Sequence, residues 1–142
     1  MTDTIKTLAA KAAVADLVHT YALNIRRGRP DACAALFTDD ASFEVRDADP
    51  LHPEGAVQRY RKAGRDAIAG SIGAAGGSVR MFPAIHNLIV TVDGNKATAT
   101  SLMIATAFPS MSETIGDYDD AFRCEDGSWR FTSRIYTIYR SP

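Results

Sequence analysis

The fold is decided by the stretch RMFPAIHNLIVTVDGNKATATSLMIATAF, residues 80–108. Two runs rich in Val, Ile, Thr and Phe, residues 80–92 and 96–108, flank Asp93-Gly94-Asn95. Asn, Asp and Gly accept the positive φ angles of tight hairpin turns, and β-branched residues favour strands. The stretch therefore predicts two long antiparallel strands joined by a short turn.

The regions on either side extend this pattern. Downstream, residues 116–124 and 129–140 flank Glu125-Asp126-Gly127-Ser128 and predict a second hairpin. Upstream, residues 4–27 predict one helix, because apolar residues recur at steps of three and four. Gly28 and Pro30 end this helix. The apolar stripe consists of Val14, Leu17, Val18, Tyr21, Ala22 and Ile25.

The middle of the chain contains weaker signals. Pro30 begins a second short helix that runs to Phe37, and residues 41–46 alternate like a half-buried strand. Residues 47–63 predict a loop, residues 64–69 a short helix, and the glycine-rich residues 70–77 a flexible connection that could cover a cavity. Helices followed by hairpins indicate one α+β domain over residues 1–142, with a curved sheet folded over the long helix.

Composition excludes several classes of protein. The chain has 142 residues, with 16 Lys and Arg against 17 Asp and Glu, so no general basic charge favours nucleic acid or an anionic membrane. No apolar run is long enough to span a bilayer, and the N-terminus does not resemble a secretory signal. Cys33 and Cys124 match neither a zinc nor a redox spacing. We therefore expect a cytoplasmic protein with two reduced thiols.

Strand parity indicates which polar groups face the interior. In residues 82–92, every second residue is apolar except His86, the one ionisable group on that face. Asp120 is likewise the lone carboxylate on the face that holds Tyr118 and Phe122. Tyr21 lies on the helical stripe. We therefore expect a His, a carboxylate and a phenol to converge from three separate elements.

Such a constellation supports acid–base chemistry. A buried carboxylate can orient a His as a general base, or a protonated acid and a Tyr can donate hydrogen bonds to a developing oxyanion. Purely structural roles stay open: His86 and Tyr21 could be core residues, and Asp120 could pair with Arg130 or Arg134 across the hairpin. No metal spacing, phosphate-binding loop or dinucleotide fingerprint is present, so we expect no cofactor and no metal.

Several short sequence segments along the chain resemble those of one known family. They are Tyr21-Ala22, Arg27-Gly28, Ala35-Leu36-Phe37-Thr38-Asp39-Asp40-Ala41, Ile85-His86-Asn87, Val92-Asp93-Gly94-Asn95-Lys96-Ala97, Tyr118 with Asp120, and Asp126-Gly127-Ser128-Trp129-Arg130-Phe131. Their order is similar to the SnoaL-like branch of the nuclear-transport-factor-2-like superfamily, which includes polyketide cyclases, scytalone dehydratase and ketosteroid isomerase. The resemblance implies a cystatin-like roll, in which a conical, strongly bent, mostly antiparallel sheet and a long N-terminal helix with two shorter helices enclose an apolar cavity.

The resemblance also implies functional roles. His86 lies at the dehydratase strand position, but Arg26 replaces the helical Asp that pairs with it. Tyr21 and Asp120 resemble the isomerase oxyanion pair, while Val45 stands where the isomerase has its base. The implied catalytic residues are thus His86, Asp120 and Tyr21. The residues expected to bind substrate are Arg26, Phe43, Val45, Phe82, Leu88, Tyr118 and Phe122.

The functional hypothesis follows from these roles. We predict a cofactor-independent lyase, isomerase or cyclase that acts on a small apolar cyclic or polyketide-like molecule. Two alternatives stay open: a non-catalytic module for small-molecule binding or dimerisation on the same scaffold, and a hydrolase-like reaction on an epoxide. Because the sheet has more apolar and Thr-rich surface than one helix can cover, we also expect a homodimer.

Overall fold

The computed structural model of the chain describes residues 2–74 and 78–140. Its helices are α1 (Thr2–Arg26), α2 (Pro30–Ala34) and α3 (Arg65–Ala74). Its strands are β1 (Phe37–Asp49), β2 (His52–Ala63), β3 (Arg80–Asp93), β4 (Lys96–Phe108), β5 (Glu113–Glu125) and β6 (Ser128–Tyr139). No helix within these residues is long and apolar enough to cross a membrane.

The six strands form one sheet in the order β2-β1-β6-β5-β4-β3. Every neighbouring pair is antiparallel except β1 and β6, which run parallel. Register shifts interrupt four of the five strand pairs, and such bulges bend a sheet and increase its twist. The predicted α+β class, with a bent and mostly antiparallel sheet, is confirmed.

Helix α1 packs on the inner face of the sheet as its periodicity predicts. Val14 and Val18 are fully buried, whereas His19 is exposed. Gly28 ends the helix at φ +66°, and the amides of Gly28 and Arg29 donate to the carbonyls of Ile25 and Asn24. This pattern is a Schellman cap, in which glycine supplies the left-handed residue.

Both predicted hairpin turns are present. Asp93 pairs with Lys96 around Gly94, and Glu125 pairs with Ser128 around a turn whose central residues both have positive φ. The local turn chemistry therefore fixes the register of β3 with β4 and of β5 with β6.

The loop predicted for residues 47–63 is wrong, because residues 52–63 form strand β2. This strand lies at an edge of the sheet, and most of its side chains are exposed on both faces. An edge strand tolerates Pro53, Gly55 and several charges, since these residues discourage pairing with another chain. Its sequence therefore lacks the apolar alternation that identifies a half-buried strand.

The short elements also differ from their predicted bounds. Helix α2 ends at Ala34 rather than Phe37, because Phe37 already begins β1 and is completely buried in the core. Helix α3 continues through Gly70 and Gly73 to Ala74. The predicted flexible connection is thus helical over most of its length, and its residues 75–77 lie outside the described part of the chain.

A β-bulge in β3 reverses the predicted orientation of half that strand. His86 pairs with Leu102 and Ile89 pairs with Thr100, so β3 has one residue more than β4 between these pairs. Asn87 absorbs the extra residue at φ +53°. Because a one-residue shift exchanges the two faces of a strand, Leu88 points inward as predicted, but His86 does not.

The core lies between α1 and the inner face of the sheet. The aromatic rings of Phe37, Phe122 and Phe131 form its centre. The ring centroid of Phe131 lies 4.7 Å from that of Phe122 and 4.9 Å from that of Phe37. On β4 every inward residue except Met103 is small, and Ala105 is the small one that lines the cavity. Small side chains on the strand leave room beside the helix for a cavity.

Gly116 allows β5 and β6 to approach each other. A Cβ atom at this position would clash with the backbone carbonyl of Thr137 and lie 2.8 Å from Cε1 of Tyr136. We expect Gly116→Ala to lower the free energy of unfolding by about 1–3 kcal/mol, because neither strand can yield without shifting its neighbours. Urea unfolding of the purified variant measures this change.

Gly70→Ala is the matched control. No atom lies within 4 Å of the Cβ position at Gly70, which sits inside α3. Alanine there should stabilise the protein by about 0.5–1 kcal/mol, since it restricts the unfolded chain more than glycine does. Equal effects of the two substitutions would contradict the steric account of Gly116.

Candidate active site

A cavity of about 370 Å³ lies between the three helices and the inner face of the sheet. Its floor consists of lining residues that are otherwise buried: Tyr21, Phe43, Met103, Ala105 and Tyr118. Its mouth consists of lining residues that are exposed: Gly28, Arg29, Gly73, Val79 and Arg80. The walls between them are mainly apolar, and Ile25, Ile72 and Met81 contribute to them.

The polar lining of the walls includes Asn24, Tyr60 and Ser71. Three further tyrosines, Tyr21, Tyr118 and Tyr136, form the floor and the wall next to it. Tyr118 lies edge-on to Tyr21, with ring centroids 6.4 Å apart, and packs against Tyr136 at 5.0 Å. Among the described residues, none of the three hydroxyls has a hydrogen-bond partner, yet none is a fully enclosed polar atom. Their hydrogen-bonding capacity is therefore available to a molecule inside the cavity.

Burial keeps these phenols neutral. It raises the pKa of Tyr21, Tyr118 and Tyr136 above the usual value, and the positive charge of Arg134 partly opposes this shift for Tyr21 and Tyr118. A neutral tyrosine retains its hydroxyl proton and can donate it in a hydrogen bond. At neutral pH the floor thus presents donors, not phenolates.

A buried ion pair stands behind the floor. Arg134 on β6 donates from Nε and Nη2 to the two carboxylate oxygens of Asp120 on β5, at 2.8 and 3.1 Å. Both side chains are completely buried. Burial raises the pKa of Asp120, and the guanidinium opposes that change. Because both oxygens accept from a guanidinium that stays protonated, the pair is ionised.

The aromatic floor also covers the guanidinium. The Cζ atom of Arg134 lies 3.5 Å from the ring centroid of Tyr118, 4.4 Å from that of Tyr21 and 4.8 Å from that of Phe131. A desolvated cation over aromatic faces gains about 2 kcal/mol or more. The same contact holds the rings of Tyr21 and Tyr118 in position, because a ring that moved away would lose its interaction with the guanidinium.

The structure brings together three of the predicted site residues. Tyr21, Phe43 and Tyr118 line the cavity, and Asp120 lies directly behind them. Three roles were considered for Asp120, and the structure shows the cross-strand pair with Arg134. Asp120 does not orient His86, because His86 is exposed on the other face of the sheet. The predicted role as a protonated donor to substrate is wrong, since both oxygens already accept hydrogen bonds and the residue does not line the cavity.

The other predicted site residues lie outside the cavity. Val45 and Phe122 are buried core residues, and Leu88 packs against that core without reaching the lining. Arg26 is exposed at the end of α1 and offers only its backbone carbonyl to the neighbouring Arg80. These four residues were expected to contact substrate, and none of them lines the cavity.

Phe82 and His86 lie on the outer face of the sheet. The bulge at Asn87 puts them opposite the cavity, and Phe82 is 43% exposed. The expectation that His86 faces the interior is therefore wrong. No histidine, aspartate or glutamate occurs among the described residues that line the cavity.

Sequence reasoning missed Tyr136 and Arg80, and it named Arg134 only as one of two possible partners of Asp120. Tyr136, Arg134 and Ile138 alternate on β6, so parity of that strand would have indicated an arginine and a tyrosine on one inward face. Arg80 begins β3, and no sequence pattern connects it with the end of α1. That contact depends on how the helix lies across the sheet.

The described residues contain no candidate metal centre, and the thiol of Cys33 lies in the core. Within residues 2–74 and 78–140, no three His, Cys, Asp or Glu side chains come close enough together to hold a metal ion. Cys33 is buried, and its thiol donates to the carbonyl of Tyr21 at 3.6 Å. Burial raises the pKa of this thiol to about 12, so it is an unreactive core residue.

The bent sheet, the long helix across it and the internal cavity define a small α+β roll. Comparison with protein families identifies it further: the SnoaL-like domain matches residues 6–135, so the chain belongs to that family. A comparison with curated proteins found no match.

Solved structures show the same fold. Rv3472, a protein of unknown function from Mycobacterium tuberculosis, is 25% identical with a TM-score of 0.76, covering 92% of this chain and 76% of its own. A candidate scytalone dehydratase from Novosphingobium aromaticivorans is 24% identical at a TM-score of 0.75, covering 99% and 89%. An NTF2-like protein with a cystatin-like fold from the same organism is 20% identical at 0.79, covering 99% and 89%.

The Asp120–Arg134 pair gives a prediction about stability. Arg134→Met leaves a buried carboxylate without its partner, and Asp120→Leu leaves a buried guanidinium, so each should cost about 3–5 kcal/mol of unfolding free energy. The double variant should cost much less than the sum, because it removes both charges. Urea unfolding of the four proteins measures the coupling. Additive losses would show that the two residues act independently.

Proposed function

We propose that this domain binds a small, largely apolar molecule whose oxygen atom accepts hydrogen bonds from Tyr21 and Tyr118. The supporting observation is the cavity itself. Its volume of about 370 Å³ falls within the range of small-molecule sites, and its floor combines apolar walls with neutral hydroxyl donors. A ligand carbonyl or phenol would pair with the hydroxyls while its rings fill the space between Phe43 and Met103.

The ion pair behind the floor supports this function. Held against the Arg134 guanidinium, the two tyrosine rings keep one orientation before any ligand enters. Donors that are already oriented bind without the entropy loss of ordering flexible side chains. The nearby positive charge also makes a phenol a stronger hydrogen-bond donor.

Binding without catalysis is the function that the lining favours. General acid–base chemistry needs a group that takes up a proton, and the described lining offers neither carboxylate nor imidazole for this role. The second candidate is cofactor-independent lyase, isomerase or cyclase chemistry. It is favoured by the paired phenol donors, which are placed as an oxyanion site would be. It requires that the substrate itself, or water, accept the proton.

Removal of one hydroxyl tests the proposal. We expect the protein to bind 2-acetonaphthone, a two-ring ketone, and Tyr118→Phe to weaken this binding about three- to tenfold, since one hydrogen bond is lost. Isothermal titration calorimetry measures both affinities. Tyr21→Phe should have a similar effect, and its thermal melting curve confirms that the fold is retained.

His86→Asn is the control for that experiment. His86 lies on the outer face, so its replacement should leave the affinity for the ketone unchanged. If His86→Asn abolishes binding while Tyr118→Phe and Tyr21→Phe do not, the ligand site is elsewhere. Failure of the wild-type protein to bind the ketone would overturn the proposed function.

The outer face supports a second property, a homodimer. Ala84, Ile104 and Ile115 are cross-strand neighbours on β3, β4 and β5 and form an apolar row there. Phe82 and Ile115 are 43% and 44% exposed. We propose that a second copy of the chain covers this row, with an interface of at least about 1,200 Å² in total.

The dimer is tested by placing a charge in the row. Ile104→Glu should convert a dimer into a monomer, because it would bury an unpaired carboxylate in the interface. Val57→Glu is the control, since Val57 is exposed on the edge strand β2. Light scattering at micromolar concentration measures the mass. A wild-type monomer would refute the proposal, and so would loss of the dimer in Val57→Glu alone.

A further inference from the structure

The mouth of the cavity carries positive charge that no carboxylate of the described residues neutralises. Arg29 and Arg80 both line the mouth, and neither forms an ion pair with a described carboxylate. The residues outside the described ranges include no Asp or Glu. By contrast, Arg59 on the edge strand β2 and Arg140, which directly follows β6, are both paired with Asp47.

Arg80 is held in place by the end of helix α1. Its Nη1 donates to the carbonyl of Arg26 at 3.1 Å, and its guanidinium lies against Gly28. A Cβ atom at Gly28 would be 2.9 Å from the Cζ of Arg80, so the absent side chain of this glycine makes room for the guanidinium. One donor anchors the group, and among the described residues Nε and Nη2 form no hydrogen bond.

Arg29 stands on the other side of the same cap. It is the residue that precedes α2, and its backbone amide completes the Schellman cap of α1 by donating to Asn24. Its side chain forms no hydrogen bond with the described residues and lines the cavity beside Pro30. The turn that ends the long helix therefore places two guanidinium groups around one opening.

From this arrangement we infer that the ligand is an acid: an apolar ring body with a carboxylate, which Arg80 and Arg29 bind at the mouth. The inference rests on the proposed function and adds the class of ligand to it. A guanidinium presents parallel donors that match the two oxygens of a carboxylate. The ring body would extend from the mouth along Ile25 and Met81 toward the tyrosine floor.

The different chemistry at the two ends of the cavity, neutral hydroxyl donors at the floor and cations at the mouth, also defines the direction of the ligand. The floor offers hydroxyl donors in an apolar surrounding, where an unpaired carboxylate would lose its hydration without a counter-charge. The mouth offers two cations that remain in contact with water. The acid group of the ligand therefore stays at the mouth. An oxygen atom at the other end of the ligand reaches the hydroxyl donors at the floor.

The test compares two probes of similar shape, 2-naphthoic acid and the neutral ketone 2-acetonaphthone. We expect the acid to bind more tightly than the ketone at low salt, and its advantage to shrink as sodium chloride is added, because the mouth is exposed to solvent. Arg80→Gln should weaken binding of the acid about three- to tenfold and leave binding of the ketone unchanged. Arg29→Gln should act in the same direction, and titration calorimetry measures each affinity.

Two further variants make the experiment specific. Arg27→Gln removes an exposed arginine next to the mouth that does not line the cavity, so it should change neither affinity. Arg80→Lys keeps the positive charge but lacks the paired N–H donors of the guanidinium. This variant should therefore bind the acid more tightly than Arg80→Gln and less tightly than the wild-type protein. Melting temperatures of all variants show whether the fold is intact.

The outcomes separate this inference from the proposed function. If both probes bind equally well and Arg80→Gln and Arg29→Gln alter neither, the acid-binding mouth is refuted while the cavity function stands. An equal loss in Arg27→Gln would also refute it, because the effect would then be one of general charge. If neither probe binds, the proposed function fails and the acid specificity fails with it.

Discussion

A buried guanidinium holds the centre of this molecule together. Arg134 has no exposed surface, binds both oxygens of Asp120 across two strands, and lies against the rings of Tyr118 and Tyr21. Asp120 and Tyr118 lie on β5 and Tyr21 lies on α1, so the guanidinium on β6 connects three elements. A charge so deeply buried is tolerated only when its partner and its aromatic surroundings remain in place, and this requirement fixes the tyrosine floor of the cavity.

The cavity and the mouth are consequences of how α1 lies across the sheet. Small residues on β4 leave the space, and the glycine cap of the helix leaves the opening. The same cap brings Arg29 and Arg80 together, although they are far apart in sequence. One apolar chamber with hydroxyl donors at one end and guanidinium groups at the other is suited to an elongated molecule that has different chemistry at its two ends.

The two faces of the sheet have different compositions. The inner face carries the aromatic core and the cavity, while the outer face carries an apolar row around Ile104 and Ile115. The bulge at Asn87 determines that His86 belongs to the outer face. A residue that parity assigns to the ligand site thus lies on the surface that we propose for the homodimer.

Features of the fold and of the site could be predicted from the sequence where they depend on residues a few positions apart. The α+β class, the helix α1, its glycine cap and both hairpin turns follow from short-range patterns, because periodicity and turn residues act within a few positions. Tyr21, Tyr118 and the inward face of Asp120 could be placed for the same reason. The edge strand β2 could not be identified, because an element exposed on both faces needs no apolar pattern.

Other features were decided by the tertiary structure alone. The strand parity that placed His86 in the interior holds only while each strand stays regular, and the single extra residue at Asn87 reversed it. The choice of Arg134 over Arg130 as the partner of Asp120 depended on strand register. Arg80 entered the cavity mouth because a helix end and a strand end meet there in space. The amino-acid sequence determined the elements and their buried faces through local geometry, whereas the site arose from contacts between distant residues that only the folded chain brings together.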